Sequence, residues 1–242
     1  MVRGLDSFKE WFTGYENYYA LIGGTACYML MSEVGEDFRA TRDIDMVLLV
    51  EALDAKFGAR LWEYIKAGSY EHRQASNKKP QFYRFTKPVS SDYPYMIELF
   101  SRQIEGTILT DDAILTPIPL EDDISSLSAI LLDSDYYSLL KSGIRVIDGL
   151  PILGAEHLIP FKAKAWLDLT DRKAKGGQID SKHIKKHLND VITLSDLLQP
   201  EKRVDLPESV RSDLIKFMAA NSGVSVKLAR VATVYAMRKN IS

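Results

Sequence analysis

The stretch RATRDIDMVLLV, residues 39–50, constrains this chain more than any other, because it sets two aspartates one residue apart at the head of a continuously apolar run. Met46 to Val50 is rich in residues that favour strands, so the run reads as the start of a core strand over 43–50. Residues two apart on a strand share a face. Asp43 and Asp45 therefore project together, joined by Thr41 if the strand begins that early. Two ionised carboxylates this close push each other toward protonation unless a cation compensates. A divalent metal is the natural compensation, and hard oxygen ligands favour Mg2+ or Mn2+.

Two further features point the same way. In YMIELFS, residues 95–101, Glu98 interrupts a second apolar strand, where a buried glutamate needs a partner. Otherwise it is an edge-strand residue facing water. Gly23-Gly24 lies between an apolar strand at 18–22 and a helical pattern at 25–34. A double glycine is often just a turn. It also lets the backbone approach a ligand closely, and the helix start behind it can receive a phosphate. Together these parts describe a triphosphate held at a helix N-terminus beside carboxylates that hold metal. That is the equipment for in-line nucleotidyl transfer. No Ser/His/Asp nucleophilic set is apparent.

Elsewhere the patterns predict a first helix capped by Asp6 or Ser7, and a helix over 53–67 with Leu53, Phe57, Leu61, Tyr64 and Ile65 on one face. A strand at 81–87 leads through the turn-rich PVSSDYP into the strand bearing Glu98. Residues 107–153 read as mixed short elements, the clearest a hairpin in which Asp148-Gly149 joins IRVI to LPIL. Helical periodicity then covers 155–174, 181–199, 208–221 and 224–239. The expected fold class is α+β: a mixed-sheet domain over 1–154 with flanking helices, then a helical domain over 155–242.

Charge divides along the same line. Residues 151–242 carry 16 Lys+Arg against 10 Asp+Glu, leaving the first 150 residues 15 basic and 23 acidic of the totals of 31 and 33. This is either two solvated surfaces of unlike composition or an acidic half that holds metal and a basic half that faces phosphates. Cys27 is the one cysteine, which excludes a disulfide framework and a cysteine-built zinc site and suits a cytoplasmic location. No apolar run approaches the roughly 20 residues that span a bilayer, and MVRGLDSFKEWF lacks the features of a signal peptide. No membrane partner is expected.

The segments GGTACYMLMSEVGEDFRATRDIDMVLL and MIELF resemble the nucleotidyltransferase superfamily of the DNA polymerase beta type. More narrowly, the Gly-Gly-Thr start and the Arg-x-Thr-x-Asp-Ile-Asp run are similar to the AbiEii/AbiGii-type toxin family. That family also carries a Lys-x-x-Ala helix and a later aspartate, here matched by Lys162 with Ala165 and by Asp190. The loop at 35–42 is longer than in minimal members, and Asn189-Asp190 replaces the usual basic–acidic doublet.

The resemblance implies a nucleotidyltransferase-type fold and a role for each of these residues. Asp43, Asp45 and Glu98 would hold Mg2+ or Mn2+, with Glu98 completing the site or serving as general base. Gly23, Gly24, Thr25, Arg39 and Thr41 would lie at the nucleotide, Lys162 would neutralise the triphosphate, and Asp190 would be a further residue of the site. The implied substrate is an NTP, such as ATP or GTP. The implied acceptor is an RNA such as the 3′ end of tRNA, or a protein, and a separate antitoxin is an implied partner.

Several alternatives stand beside this. Lys162 reads equally as a surface lysine, with Lys164 its rival for the triphosphate, and Asp190 as a helix-surface acid paired with Lys186. Arg39 and Arg42 would otherwise merely offset nearby acids. His183 and His187 have a zinc-compatible spacing, but Lys182, Lys185 and Lys186 around them favour a solvated basic face or an RNA contact. Tyr15, Tyr18, Tyr19 and Tyr28 are packing and rim residues, one of them able to stack on a base. A nucleotide-sugar glycosyltransferase also uses D-x-D, but only 42 residues precede Asp43. The non-enzyme alternative is an inactive nucleotidyltransferase fold that binds nucleotide or a partner.

Overall fold

The structure, a computed structural model, describes residues 2–49, 52–72, 82–101, 130–131 and 133–236. Residues 107–129 of the stretch read as mixed short elements lie outside the described residues, as do residues 237–239 of the last predicted helix. The chain forms two compact units, Met1–Pro119 with Ile144–Leu153, and Leu120–Gly143 with Gly154–Ser242.

Among the described residues the first unit is built on a mixed sheet of seven strands: β1 (Tyr19–Ile22), β2 (Asp43–Leu48), β3 (Glu71–His72), β4 (Phe82–Thr86), β5 (Met96–Phe100), β6 (Ile144–Ile147) and β7 (Leu150–Leu153). Their spatial order is β3-β4-β5-β2-β1-β7-β6. β2 lies at the centre, antiparallel to β1 and parallel to β5. The β6–β7 hairpin turns at Asp148-Gly149 with φ of 47° and 74°, the left-handed pair that a two-residue hairpin requires. The class is α+β.

One face of the sheet is a dry core. Ile44, Met46 and Leu48 alternate inward from β2, with Ile97 and Leu99 from β5, and all are buried. An aromatic cluster from α1 (Leu5–Trp11), β1 and α3 (Ala55–Ala67) joins them. Phe8 meets Tyr19 and Tyr64 edge-on at 5.8 and 5.6 Å between centroids, favoured geometry for ring pairs. Tyr19 is thus core, and Tyr18 stacks on Phe57 at 5.1 Å, so packing occupies both.

Helix α1 is not capped as the sequence suggested. Its N-cap is Gly4 at φ 68°, with no side-chain cap. A Cβ there would overlap Tyr93 and Pro94, so only glycine lets the chain enter the helix so close to that loop. The Ser7 hydroxyl is turned instead toward the Gly4 and Asp92 carbonyls and the Tyr64 hydroxyl. Helix α3 does have its cap, with the Asp54 carboxylate accepting the Phe57 N–H at 2.7 Å.

Helix α2 (Gly23–Glu33) starts at the double glycine itself, two residues earlier than the apolar pattern suggested. Gly23 has φ +66°, and a Cβ on it would fall 1.6 Å from Asp45 Oδ2. A Cβ on Gly24 would fall 2.6 Å from Thr41 Oγ1. The absence of side chains lets the helix start lie directly against the face of β2 that carries the aspartates.

The second unit is helical in its described parts: α4 (Ser134–Ser142), α5 (Ala155–Ala174), α6 (Ser181–Leu194) running into a 3₁₀ turn (Ser195–Leu197), α7 (Glu208–Ala220) and α8 (Leu228–Val234). Periodicity gave α5 its observed limits, whereas α4 was hidden among the short elements. The 3₁₀ turn ends the predicted 181–199 helix early. Pro160 lies inside α5 and has no N–H for the Glu156 carbonyl four residues back. The buried Tyr235 hydroxyl donates to that carbonyl instead, at 2.5 Å.

Gly14 and Gly23 both have positive φ, but nothing lies within 4 Å of a Cβ on Gly14. Gly14→Ala should cost the left-handed conformation alone, about 1–2 kcal/mol. Gly23→Ala should cost clearly more in urea denaturation, because its methyl must displace the Asp45 carboxylate. Equal losses would remove the close approach from the account.

Candidate active site

Register brings the acids together. β2 and β5 are parallel, with Asp45 opposite Glu98 and Asp43 opposite Met96. On the far side of β5, antiparallel β4 sets Arg84 opposite Glu98. Cross-strand partners project to one face, so Asp45, Glu98 and Arg84 form a row across three strands, and Asp43 stands two residues along from Asp45. The next positions inward on this face, Val47 and Phe100, are buried and apolar. The row therefore marks where the core gives way to an accessible edge. Glu98 is no edge-strand residue: it sits on an interior strand at 8% exposure.

The carboxyl of Glu98 has two kinds of neighbour. Arg84 donates from both Nε and a terminal nitrogen to the same oxygen, Oε1, at 2.9 Å each. On its other side stands Asp45, opposite in register and close enough for its charge to act on the Glu98 carboxyl. Burial and the Asp45 charge push the Glu98 carboxyl up to about 9, against the pull of Arg84. Glu98 thus holds its proton more tightly than an ordinary carboxyl does. Arg84 was not singled out from the sequence, although the signal was there: one charged residue inside the apolar strand FYRFT.

The glycine elements deliver different contacts. Gly23 lies against the Asp45 carboxylate and Gly24 against the Thr41 side chain. Thr25, expected at the nucleotide, is fully buried, and its hydroxyl donates to the Asp43 backbone carbonyl at 2.7 Å. What it does in this structure is pin the first turn of α2 to the start of β2. Arg39 is exposed, its guanidinium 5.0 Å from the centroid of the Phe38 ring. Helix α2 has neither a side-chain cap nor an acid in its first turn, so no side chain of that turn competes for an anion at its start.

In the helical unit, Lys162 and Asp190 meet each other. The ammonium donates to Asp190 Oδ2 at 2.9 Å, with the side chains 7% and 1% exposed. This corrects both surface alternatives: Lys162 is not a solvated lysine, and Asp190 takes this lysine as an ion partner from inside the helix pair. Lys164, at 28% exposure, pairs with Asp213 at 3.0 Å and with Asp168 at 3.4 Å.

Among the described residues no group of three His, Cys, Asp or Glu side chains is converged as it stands to hold a metal ion. The chemistry of the row still fits one. Two hard carboxyl groups stand opposite each other beside a side-chain-free helix start, a donor set that suits a divalent cation. Among the described residues no helix is long and apolar enough to cross a membrane.

No protein-family model matches the chain, and no curated protein matches it. Among solved structures it is similar to an antigenic nucleotidyltransferase-like protein from Paracoccidioides brasiliensis, at 16% identity and a TM-score of 0.47, over 95% of this chain and 94% of that one. A likeness at that level leaves the site to be read from its own residues.

Two outcomes are expected. The ordinary Glu98 value is 4.5 and the folded value about 9. The neutral carboxyl's contribution to stability is therefore complete below about pH 4.5 and is lost as pH rises through about 9. With chelator present, Glu98→Gln should gain melting temperature relative to wild type as pH climbs through that window, and a constant difference would refute the protonated carboxyl. Separately, Lys162→Met should destabilise the protein by about 3–5 kcal/mol, and adding Asp190→Leu should recover most of it. A neutral single variant would show that the ammonium is not buried against a charge.

Proposed function

We propose that this chain is a metal-dependent nucleotidyltransferase that moves a nucleoside monophosphate from an NTP to an acceptor hydroxyl. The observation that carries this reading is Asp45 meeting Glu98 in register on parallel strands, with Gly23 of a helix start against the Asp45 carboxylate. The AbiEii/AbiGii resemblance of the Gly-Gly-Thr and Asp-Ile-Asp segments supports the same chemistry and rests on those motifs alone.

In the proposed reaction the acceptor oxygen forms a bond to the α-phosphorus, the bond to the β-phosphate oxygen breaks, and pyrophosphate leaves. Asp45 and Glu98 would hold Mg2+ or Mn2+, with Asp43 two residues away on the same face. The metal, when bound, supplies charge compensation for the attacking and leaving oxygens. Glu98 would complete the metal's ligand set, and the acceptor's proton would leave to solvent. The first turn of α2 carries no acidic residue of its own, and its dipole would favour the phosphates once the Asp45 carboxylate beside it is compensated by metal. Thr25 keeps that start fixed against β2, so the phosphate end and the carboxylate end of the site share one rigid support. An RNA or protein acceptor and an antitoxin partner belong to this reading through the resemblance.

The test is pyrophosphate release and label transfer from each of four α-labelled NTPs, with Mg2+ and total RNA, comparing wild type with Asp45→Ala. Label on RNA that drops by about a hundred- to a thousandfold in the variant is the expected result for loss of a charge-compensating group. Label on protein alone would identify a protein acceptor. Nucleotide binding without pyrophosphate from any NTP would favour a binding protein on the same fold.

A further inference from the structure

Arg84 contributes nothing that the D-x-D and Gly-Gly segments announce, yet it makes the best-defined contact in the row. Its Nε and a terminal nitrogen both reach Oε1 of Glu98 at 2.9 Å. The guanidinium side chain is 19% exposed and the glutamate side chain 11%, so water screens the pair only weakly. β4 and β5 form an antiparallel pair whose register runs from Phe82 opposite Phe100 to Thr86 opposite Met96, which fixes the Arg84 backbone directly opposite Glu98.

We propose that Arg84 is a positioning residue for the metal site: its guanidinium fork fixes Oε1 of Glu98 and assigns Oε2 to a divalent cation shared with Asp45. This rests on the nucleotidyltransferase reading of the same site. The physical reason lies in the glutamate. Its flexible side chain has several rotamers, and ordering it costs free energy that would otherwise be drawn from cation binding. A planar, permanently charged fork is pre-organised for holding a carboxylate. Arg84 therefore orders Glu98 in advance, and with Oε1 committed to two donors, the cation has one oxygen of the glutamate to meet. Asp45, opposite in register, faces that same carboxyl from the other side.

A plain counter-ion for a buried glutamate would behave differently. It would stabilise the fold, and its removal would relieve repulsion of an incoming cation, tightening metal binding. A positioning fork has the opposite sign. Mn2+ binding to the full chain, followed by electron paramagnetic resonance without nucleotide, separates the two. Wild type, Arg84→Ala, Arg84→Lys, Glu98→Ala and the double variant Arg84→Ala/Glu98→Ala are compared, each with its thermal melt.

Arg84→Ala should weaken Mn2+ about 10-fold or more, as loss of an outer-shell partner does. Arg84→Lys, which keeps the charge but not the fork, should remain weakened. In the Glu98→Ala background, removing Arg84 should change Mn2+ affinity no further. Should Arg84→Ala not fold, Arg84→Lys carries the test alone, and wild-type affinity in that variant would overturn the fork. Unchanged or tighter Mn2+ in Arg84→Ala, or a full further loss in the double variant, overturns the positioning role while the proposed function stands. A wild-type protein that binds no Mn2+ at all, with Asp45→Ala indistinguishable from it, overturns the metal reading and this inference together.

Discussion

The parallel pairing of β2 with β5 is the constraint on which the acidic row depends. It sets Asp45 opposite Glu98, and the antiparallel pairing of β4 with β5 adds Arg84. A slip of one residue in the first pairing would turn Glu98 away from Asp45 to the core face and bring Leu99 in its place. That slip is opposed from behind, where Ile44, Met46, Ile97 and Leu99 are buried. The same apolar alternation that stabilises the sheet thus fixes the geometry of the charges in front of it. The rigidity of the site derives from hydrophobic packing.

The front face is assembled by different means. Helix α2 could not lie against β2 with a side chain at position 23, since the Asp45 carboxylate occupies that space. Thr25 closes the arrangement by giving its hydroxyl to the Asp43 carbonyl, satisfying a buried donor and fixing the helix start in one contact. The double glycine is thus explained by packing before any ligand is invoked.

Much of this was legible. Strands β1, β2, β4 and β5 and the Asp148-Gly149 hairpin follow from alternation and turn chemistry, which act over a few residues, and α5 follows from its period. What was misread depends mostly on contacts that a short window of sequence does not contain. Gly4 replaces Asp6 or Ser7 as the cap because Tyr93 and Pro94, distant in sequence, press on that position. β3 escaped notice because a two-residue strand has no period to detect. Lys162 resembled a surface lysine because helical spacing does not reveal that Asp190 waits on the neighbouring helix.

The sequence by itself determined that Asp43 and Asp45 share a face, that a glycine pair precedes a helix, and that Glu98 interrupts a strand. Each depends only on the periodicity of a short segment and the chemistry of its residues. Only the tertiary structure decided that Asp45 and Glu98 are neighbours, that Arg84 grips the glutamate, that Thr25 is a pin, and that Lys162 is buried against Asp190. Those are relations between segments far apart in the chain. They are set by strand register and helix packing, and no local pattern records which face meets which.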